Sequence, residues 1–82
     1  MKQIEWTQPA VQDLAALDKG VARRVRQAVE RLAEAETGDV KKLKDIDPPQ
    51  FRLRVGDWRV RFHVHGETIQ ILRVLNRKEA YR

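Results

Sequence analysis

Phe51-Arg-Leu-Arg-Val-Gly-Asp-Trp-Arg-Val-Arg-Phe62 is the stretch on which the fold turns. Phe51, Leu53 and Val55 alternate with Arg52 and Arg54, and the same period of two returns in Trp58, Val60 and Phe62 against Arg59 and Arg61. Successive side chains on a strand point to opposite faces, so each run reads as a strand with one apolar and one basic face. Gly56-Asp57 between them is a two-residue hairpin signal. A loop of that length sets a register in which Val55 faces Trp58, Arg54 faces Arg59 and Arg52 faces Arg61. The alternation runs on through Val64, with His63 and His65 on the arginine side. Gly66-Glu67 marks a second turn, after which Ile69 and Ile71 begin a third strand. Ile71-Leu72 and Val74-Leu75 then break the period. Either a β-bulge lies there or that strand is central and buried on both sides, and parity leaves the face of Arg73 and Arg77 open.

Upstream of the hairpin the period is helical. Lys2 to Trp6 reads as a short strand, with Ile4 and Trp6 on one face. Thr7 stands where a helix N-cap belongs, and Pro9 is tolerated in a first turn. Val11, Leu14 and Leu17 trace a first helix, which Asp18-Lys19-Gly20 breaks; Asp18 can cap the next. Val21, Val25, Ala28, Val29 and Leu32 share one face of a longer helix, expected to end near Thr37-Gly38 with glycine as the left-handed C-cap. Residues 39–50 read as a polar connection closed by Pro48-Pro49 and pinned by Leu43 and Ile46. The expected fold is α+β: an N-terminal strand, an αα-hairpin, then a three-stranded antiparallel meander. The helices pack on the apolar face of the sheet, because nothing else in the chain can cover it.

The 82 residues, 41% of them hydrophobic, suffice for a single domain spanning 1–82 with one thin core. That leaves no room for a deep enclosed cofactor cavity, so an active site is expected on an open face. The absence of cysteine excludes disulfides and thiolate metal sites and suits a reducing compartment. Apolar runs are too short to span a bilayer, and Met-Lys-Gln-Ile-Glu-Trp lacks the apolar stretch of a signal peptide. The expectation is a cytoplasmic protein without a membrane partner.

Charge is unevenly placed. Residues 1–50 carry nine Lys/Arg and nine Asp/Glu, whereas residues 51–82 carry eight basic groups against three acidic ones. The formal charge of +5 therefore lies wholly in the last 32 residues, and seven of the eight basic groups there are arginine. Arginine's planar fork pairs bidentately with phosphate or carboxylate, so the field points to an anionic partner. The hairpin register sharpens this. Like charges directly opposite in a sheet destabilise it by roughly a few tenths to 1 kcal/mol per pair. Two such pairs on one face make sense when an anion relieves the repulsion on binding. A nucleic-acid backbone is the first candidate, with Trp58 and Tyr81 available to stack on bases. A helix-turn-helix reading fits less well, since the helical hairpin is electrically mixed.

The hairpin resembles the central hairpin of the RelE/ParE toxins of type II toxin–antitoxin systems. Asn76-Arg-Lys-Glu-Ala-Tyr-Arg82 resembles their C-terminal motif. The resemblance implies a RelE-like fold and a metal-independent, cofactor-free mRNA endoribonuclease acting in the decoding site of the 70S ribosome. There the RNA's own 2′-hydroxyl attacks the adjacent phosphate. It also implies a cognate antitoxin that silences the toxin and links it indirectly to operon DNA. Matched position by position, Arg52 and Arg54 are the family's basic pair and Arg59 the arginine that holds the scissile phosphate. Arg77 and Tyr81 match the C-terminal basic and aromatic positions. Arg61, Lys78 and the Lys41/Lys42/Lys44 cluster would contact ribosomal or messenger backbone. Relatives often carry lysine on the second strand and histidine where Asn76 stands. Arginine stays protonated and asparagine transfers no proton at neutral pH, so His63 and His65 are the substitute acid/base candidates. The alternatives are a ParE-like DNA gyrase inhibitor and a non-catalytic basic module that captures an acidic antitoxin peptide.

Overall fold

A computed structural model describes residues 2–80. Eight elements follow along the chain: β1 (Gln3–Trp6), α1 (Gln8–Ala15), α2 (Lys19–Ala35), β2 (Asp39–Lys42), β3 (Phe51–Val55), β4 (Trp58–His65), β5 (Thr68–Asn76) and α3 (Arg77–Ala80). The five strands form one sheet in the order β1-β5-β4-β3-β2. β1 runs parallel to β5 and every other neighbour is antiparallel. No helix among the described residues is long and apolar enough to cross a membrane.

Local chemistry explains the helices. Thr7 takes extended backbone angles at the N-cap of α1, and its hydroxyl accepts from the Ala10 amide at 3.4 Å. In α2, Val25, Val29, Leu32 and Ala33 are buried at helical spacing. They meet Leu53, Val60, Phe62, Ile69, Ile71 and Val74 from one face of the sheet. Asp18 occupies the N-cap of α2 but makes no side-chain cap bond. The helix ends two residues earlier than glycine alone suggests. Glu36 takes the left-handed angles, φ 53° and ψ 31°, and its amide closes on the Leu32 carbonyl. Gly38 serves a different need: its φ is 149°, and an added Cβ would lie 2.8 Å from Leu53 Cδ1.

The hairpin register is as expected, Val55↔Trp58, Arg54↔Arg59 and Arg52↔Arg61. Phe51 and Phe62 face each other on the apolar side, with stacked rings 5.6 Å apart. The break in period on β5 is a bulge. Arg61 pairs with Arg73 and Phe62 with Ile71, so Leu72 is the extra residue. The strand is also central, lying between β1 and β4. It is not buried on both faces, since Arg73 is exposed and Leu72 and Leu75 are half-buried, so the bulge accounts for the broken period.

Two elements were not expected. The segment taken as connection opens with β2, which pairs with β3 through Asp39↔Arg54, Val40↔Leu53, Lys41↔Arg52 and Lys42↔Phe51. All four of its residues are exposed, so it is an edge strand whose charges blunt the edge. Such a strand buries no apolar set and leaves no period to read. The chain after β5 turns into the short helix α3, where Asn76 Oδ1 accepts from the Lys78 amide at 3.1 Å.

Candidate nucleic-acid interface

Cross-strand pairing turns the alternating arginines into rows on the side of the sheet away from the helices. One row runs Lys41–Arg52–Arg61–Arg73 across β2, β3, β4 and β5. At about 4.8 Å between strands, it sets four cations across roughly 14 Å. The neighbouring row runs Asp39–Arg54–Arg59–Leu75. Only the first row is uniformly positive. Beyond it, His63 pairs with Gln70 and His65 with Thr68. The two imidazole rings lie 5.5 Å apart. Among the described residues, no group of three His, Cys, Asp or Glu gathers to hold a metal ion.

The arginines are not equivalent. Arg54 is exposed, Arg52 and Arg61 are half-buried, and Arg59 is only 5% exposed. The expectation of an open basic face therefore fails at Arg59. Its Nη1 donates to the carbonyls of Gly56 at 3.0 Å and Trp58 at 3.1 Å, folding the side chain back over the hairpin turn. A long guanidinium three residues after a carbonyl has the reach for this, which parity alone does not reveal.

Arg73 stands at the other end of the cation row and turns outward. Its Nε and Nη2 donate to Asp13 Oδ2 and Oδ1 at 2.7 and 3.1 Å, a bidentate pair. Asp13 Oδ2 also accepts from the Val74 amide at 3.0 Å. The cause is the brevity of β1, whose pairing stops at Trp6↔Ile71. Past that point α1 takes over the β5 edge, with Thr7 Oγ1 donating to Ile71 O at 2.7 Å and Asp13 receiving Val74 N–H. Burial works to raise the Asp13 pKa, but the Arg73 hydrogen bond, the Val74 amide and the Arg73 charge outweigh it and hold it below its ordinary value. The sequence reading missed Asp13; its only signal was a carboxylate on the short first helix.

His63 is tied to the connection. Its Nδ1 lies 2.8 Å from the Pro49 carbonyl, which can only accept, so Nδ1 carries the proton. His65 is exposed. Lys41, Lys42 and Lys44 are exposed, Lys41 in the cation row and Lys44 in the loop beyond β2. Arg77 and Lys78 are exposed at the start of α3, and the Arg77 amide donates to the Asp57 carbonyl at 2.8 Å. Tyr81 lies outside the described residues. Trp58 does not join this face. It pairs with Val55 on the helix side and lines, with Val21 and Arg24, a groove against α2. Bases held over the arginine rows therefore cannot stack on it.

Known proteins share this architecture. Residues 4–81 match the family model described as the ParE toxin of a type II toxin–antitoxin system. The chain belongs to the RelE/ParE family of type II toxins. Toxin RelE3 of Methanocaldococcus jannaschii is 32% identical over 76 residues, covering 87% of this chain and 85% of that protein. The RelB–RelE antitoxin–toxin complex from Methanococcus jannaschii contains a chain that superposes with a TM-score of 0.77 at 28% identity, covering 94% of each chain. The toxin–antitoxin complex RelBE2 of Mycobacterium tuberculosis gives 0.78 at 25% identity, covering 93% of this chain and 98% of the other. The expected RelE-like α+β fold is thus shown, with β2 and α3 added to it.

Proposed function

We propose that this RelE/ParE toxin is a ribosome-dependent mRNA endoribonuclease held inactive by a cognate antitoxin. The observation that carries the reading is the Lys41–Arg52–Arg61–Arg73 row, a line of cations on the sheet face that the helices leave uncovered. Cations spaced across strands match a single-stranded phosphate backbone crossing the sheet. In the proposed reaction the 2′-oxygen bonds to the adjacent phosphorus as the bond to the 5′-oxygen breaks. Negative charge builds on the phosphoryl oxygens, and fixed guanidinium groups stabilise it where it develops. Arg52 and Arg61 are the half-buried members of the row, so their charges are screened least. Arg54, Arg77 and Tyr81 complete the proposed catalytic set. Lys41, Lys42, Lys44 and Lys78 are the proposed contacts to ribosomal backbone, and His63 and His65 the proton-transfer candidates.

The RelB–RelE and RelBE2 relatives are complexes with an antitoxin, and the same kind of partner is proposed here. The surface between α2 and the β3–β4 hairpin suits it: two hollows meet at Val55, one lined by Val21, Trp58 and Arg24 and the other by Ala28, Leu53 and Arg31. A segment apolar on one side and acidic on the other would fill them. A second reading, gyrase inhibition, is favoured by Asn76. This side chain transfers no proton and caps α3 through its carbonyl oxygen. In that case, or for a purely binding module, the arginine rows are a docking surface.

Translation-coupled cleavage mapped at nucleotide resolution on stalled ribosomes tests the proposal. Cuts within the decoding codon are expected from the wild type, reduced about a hundredfold or more in Arg61→Ala and Arg77→Ala. A folded, ribosome-binding protein that makes no cuts would sink the nuclease reading and leave DNA gyrase as the target to assay.

A further inference from the structure

The hairpin turn carries three consecutive carbonyls, each with a donor. Gly56 O and Trp58 O both accept from Arg59 Nη1, at 3.0 and 3.1 Å. Asp57 O, between them, accepts from the Arg77 amide at 2.8 Å. Gly56 holds a left-handed φ of 59°, the conformation that turns the chain tightly here. The next rung of the β4–β5 ladder is Trp58↔Asn76, and Asn76 caps α3 through the Lys78 amide. The turn and the start of α3 are therefore one hydrogen-bonded unit, with a guanidinium at its base.

We propose that Arg59 is a positioning residue. By clamping Gly56 O and Trp58 O it directs the Asp57 carbonyl at the Arg77 amide and so sets where Arg77 stands at the start of α3. This differs from the role the family resemblance implies for Arg59, that of holding the scissile phosphate. A side chain that is 5% exposed with Nη1 committed to two carbonyls is built into the turn. Direct phosphate contact then falls to Arg52 and Arg61, one row further along. The functional part of the inference rests on the nuclease reading; the structural part does not.

A double-mutant cycle with an exchange measurement tests both parts. Wild type, Arg59→Ala, Arg77→Ala and the double variant are assayed for cleavage on stalled ribosomes, and Arg77 amide exchange is followed by NMR. If Arg59 acts through Arg77, the double variant cleaves within about twofold of Arg77→Ala alone, because residues acting as a unit are not additive. The Arg77 amide in Arg59→Ala should exchange about tenfold faster, the factor expected when one hydrogen bond of typical net strength is lost. Losses that multiply, together with unchanged Arg77 exchange, would overturn the proposal in favour of an independent phosphate contact. If Arg59→Ala does not fold, Arg59→Gln replaces it. Gln keeps a neutral N–H donor, so a clamp retains part of the activity and a phosphate ligand retains none. A wild type that makes no cuts removes the nuclease reading, and the exchange measurement still decides whether Arg59 holds Arg77.

Discussion

At the scale of single residues, Asp13 does more than its position on a short surface helix suggests. It neutralises the outer end of the cation row through Arg73 and satisfies the Val74 amide on an edge that β1 is too short to cover. Its folded pKa lies below the ordinary value of 3.8, so the unfolded chain binds this proton more readily than the folded one. The stability it contributes is therefore complete above about pH 4 and is lost as pH falls through the lower, folded value. Asp13→Asn should flatten that acid limb in urea unfolding measured between pH 2 and 5, since an amide oxygen can still accept from Val74 but has no charge to lose. Asp13→Ala should cost about 1–3 kcal/mol at neutral pH by leaving the Val74 amide without its acceptor. An acid limb equal to that of wild type in Asp13→Asn would show that other carboxylates govern it.

At the scale of elements, the joint between α2 and β2 depends on one glycine. Gly38 combines a φ of 149° with a Cβ position 2.8 Å from Leu53 Cδ1, and Leu53 is 1% exposed and closely packed. Gly38→Ala should lose about 1–3 kcal/mol from backbone strain and overpacking together. Gly20, in the first turn of α2, has nothing within 4 Å of an added Cβ. Gly20→Ala should instead stabilise by about 0.4–1 kcal/mol, through lower unfolded-chain entropy and better helix propensity. Denaturant midpoints at unchanged m-value would report both, and a neutral Gly38→Ala would mean that the joint relaxes freely. The bulge at Leu72 is the other element-scale device. One extra residue on β5 restores the pairing of Phe62 with Ile71 while keeping Arg73 opposite Arg61.

For the whole molecule, the decisive property is where the charge sits relative to the layers. Helices cover one side of the sheet, and the Lys41–Arg52–Arg61 stretch of the cation row lies on the other. Asp13 partly neutralises Arg73, and Asp39 stands opposite Arg54. Three phosphate contacts along that stretch predict a slope of log affinity against log salt of about −2 for a single-stranded RNA oligonucleotide, at about −0.7 per contact. Arg52→Ala and Arg61→Ala should each reduce the slope by about 0.7. Arg23→Ala, exposed on α2, should leave it unchanged. If Arg23→Ala lowers the slope as much as Arg61→Ala does, the RNA lies on the helical side instead.

Most of what a local period or a short-range turn governs was legible in the sequence, the exception being the left-handed C-cap of α2, at Glu36 rather than Gly38. The two-residue hairpin, its register, the arginine pairs, the Thr7 cap and the apolar face of α2 all follow from neighbours within a few residues. The sequence also narrowed the broken period on β5 to two explanations, of which the bulge holds, while the second face of the strand stays partly open at Arg73. Tertiary structure decided what depends on partners distant along the chain. β2 exists because β3 offers an edge, and no periodicity announces it. Asp13 matters because β1 ends at Trp6 and leaves the Val74 amide, sixty-one residues from Asp13 in sequence, for its carboxylate to receive. Arg59 shares a face with Arg61, as parity requires, yet the hairpin carbonyls take its Nη1. Parity assigns a side chain to a face; only packing in three dimensions settles whether the charged end of a long side chain meets solvent or backbone.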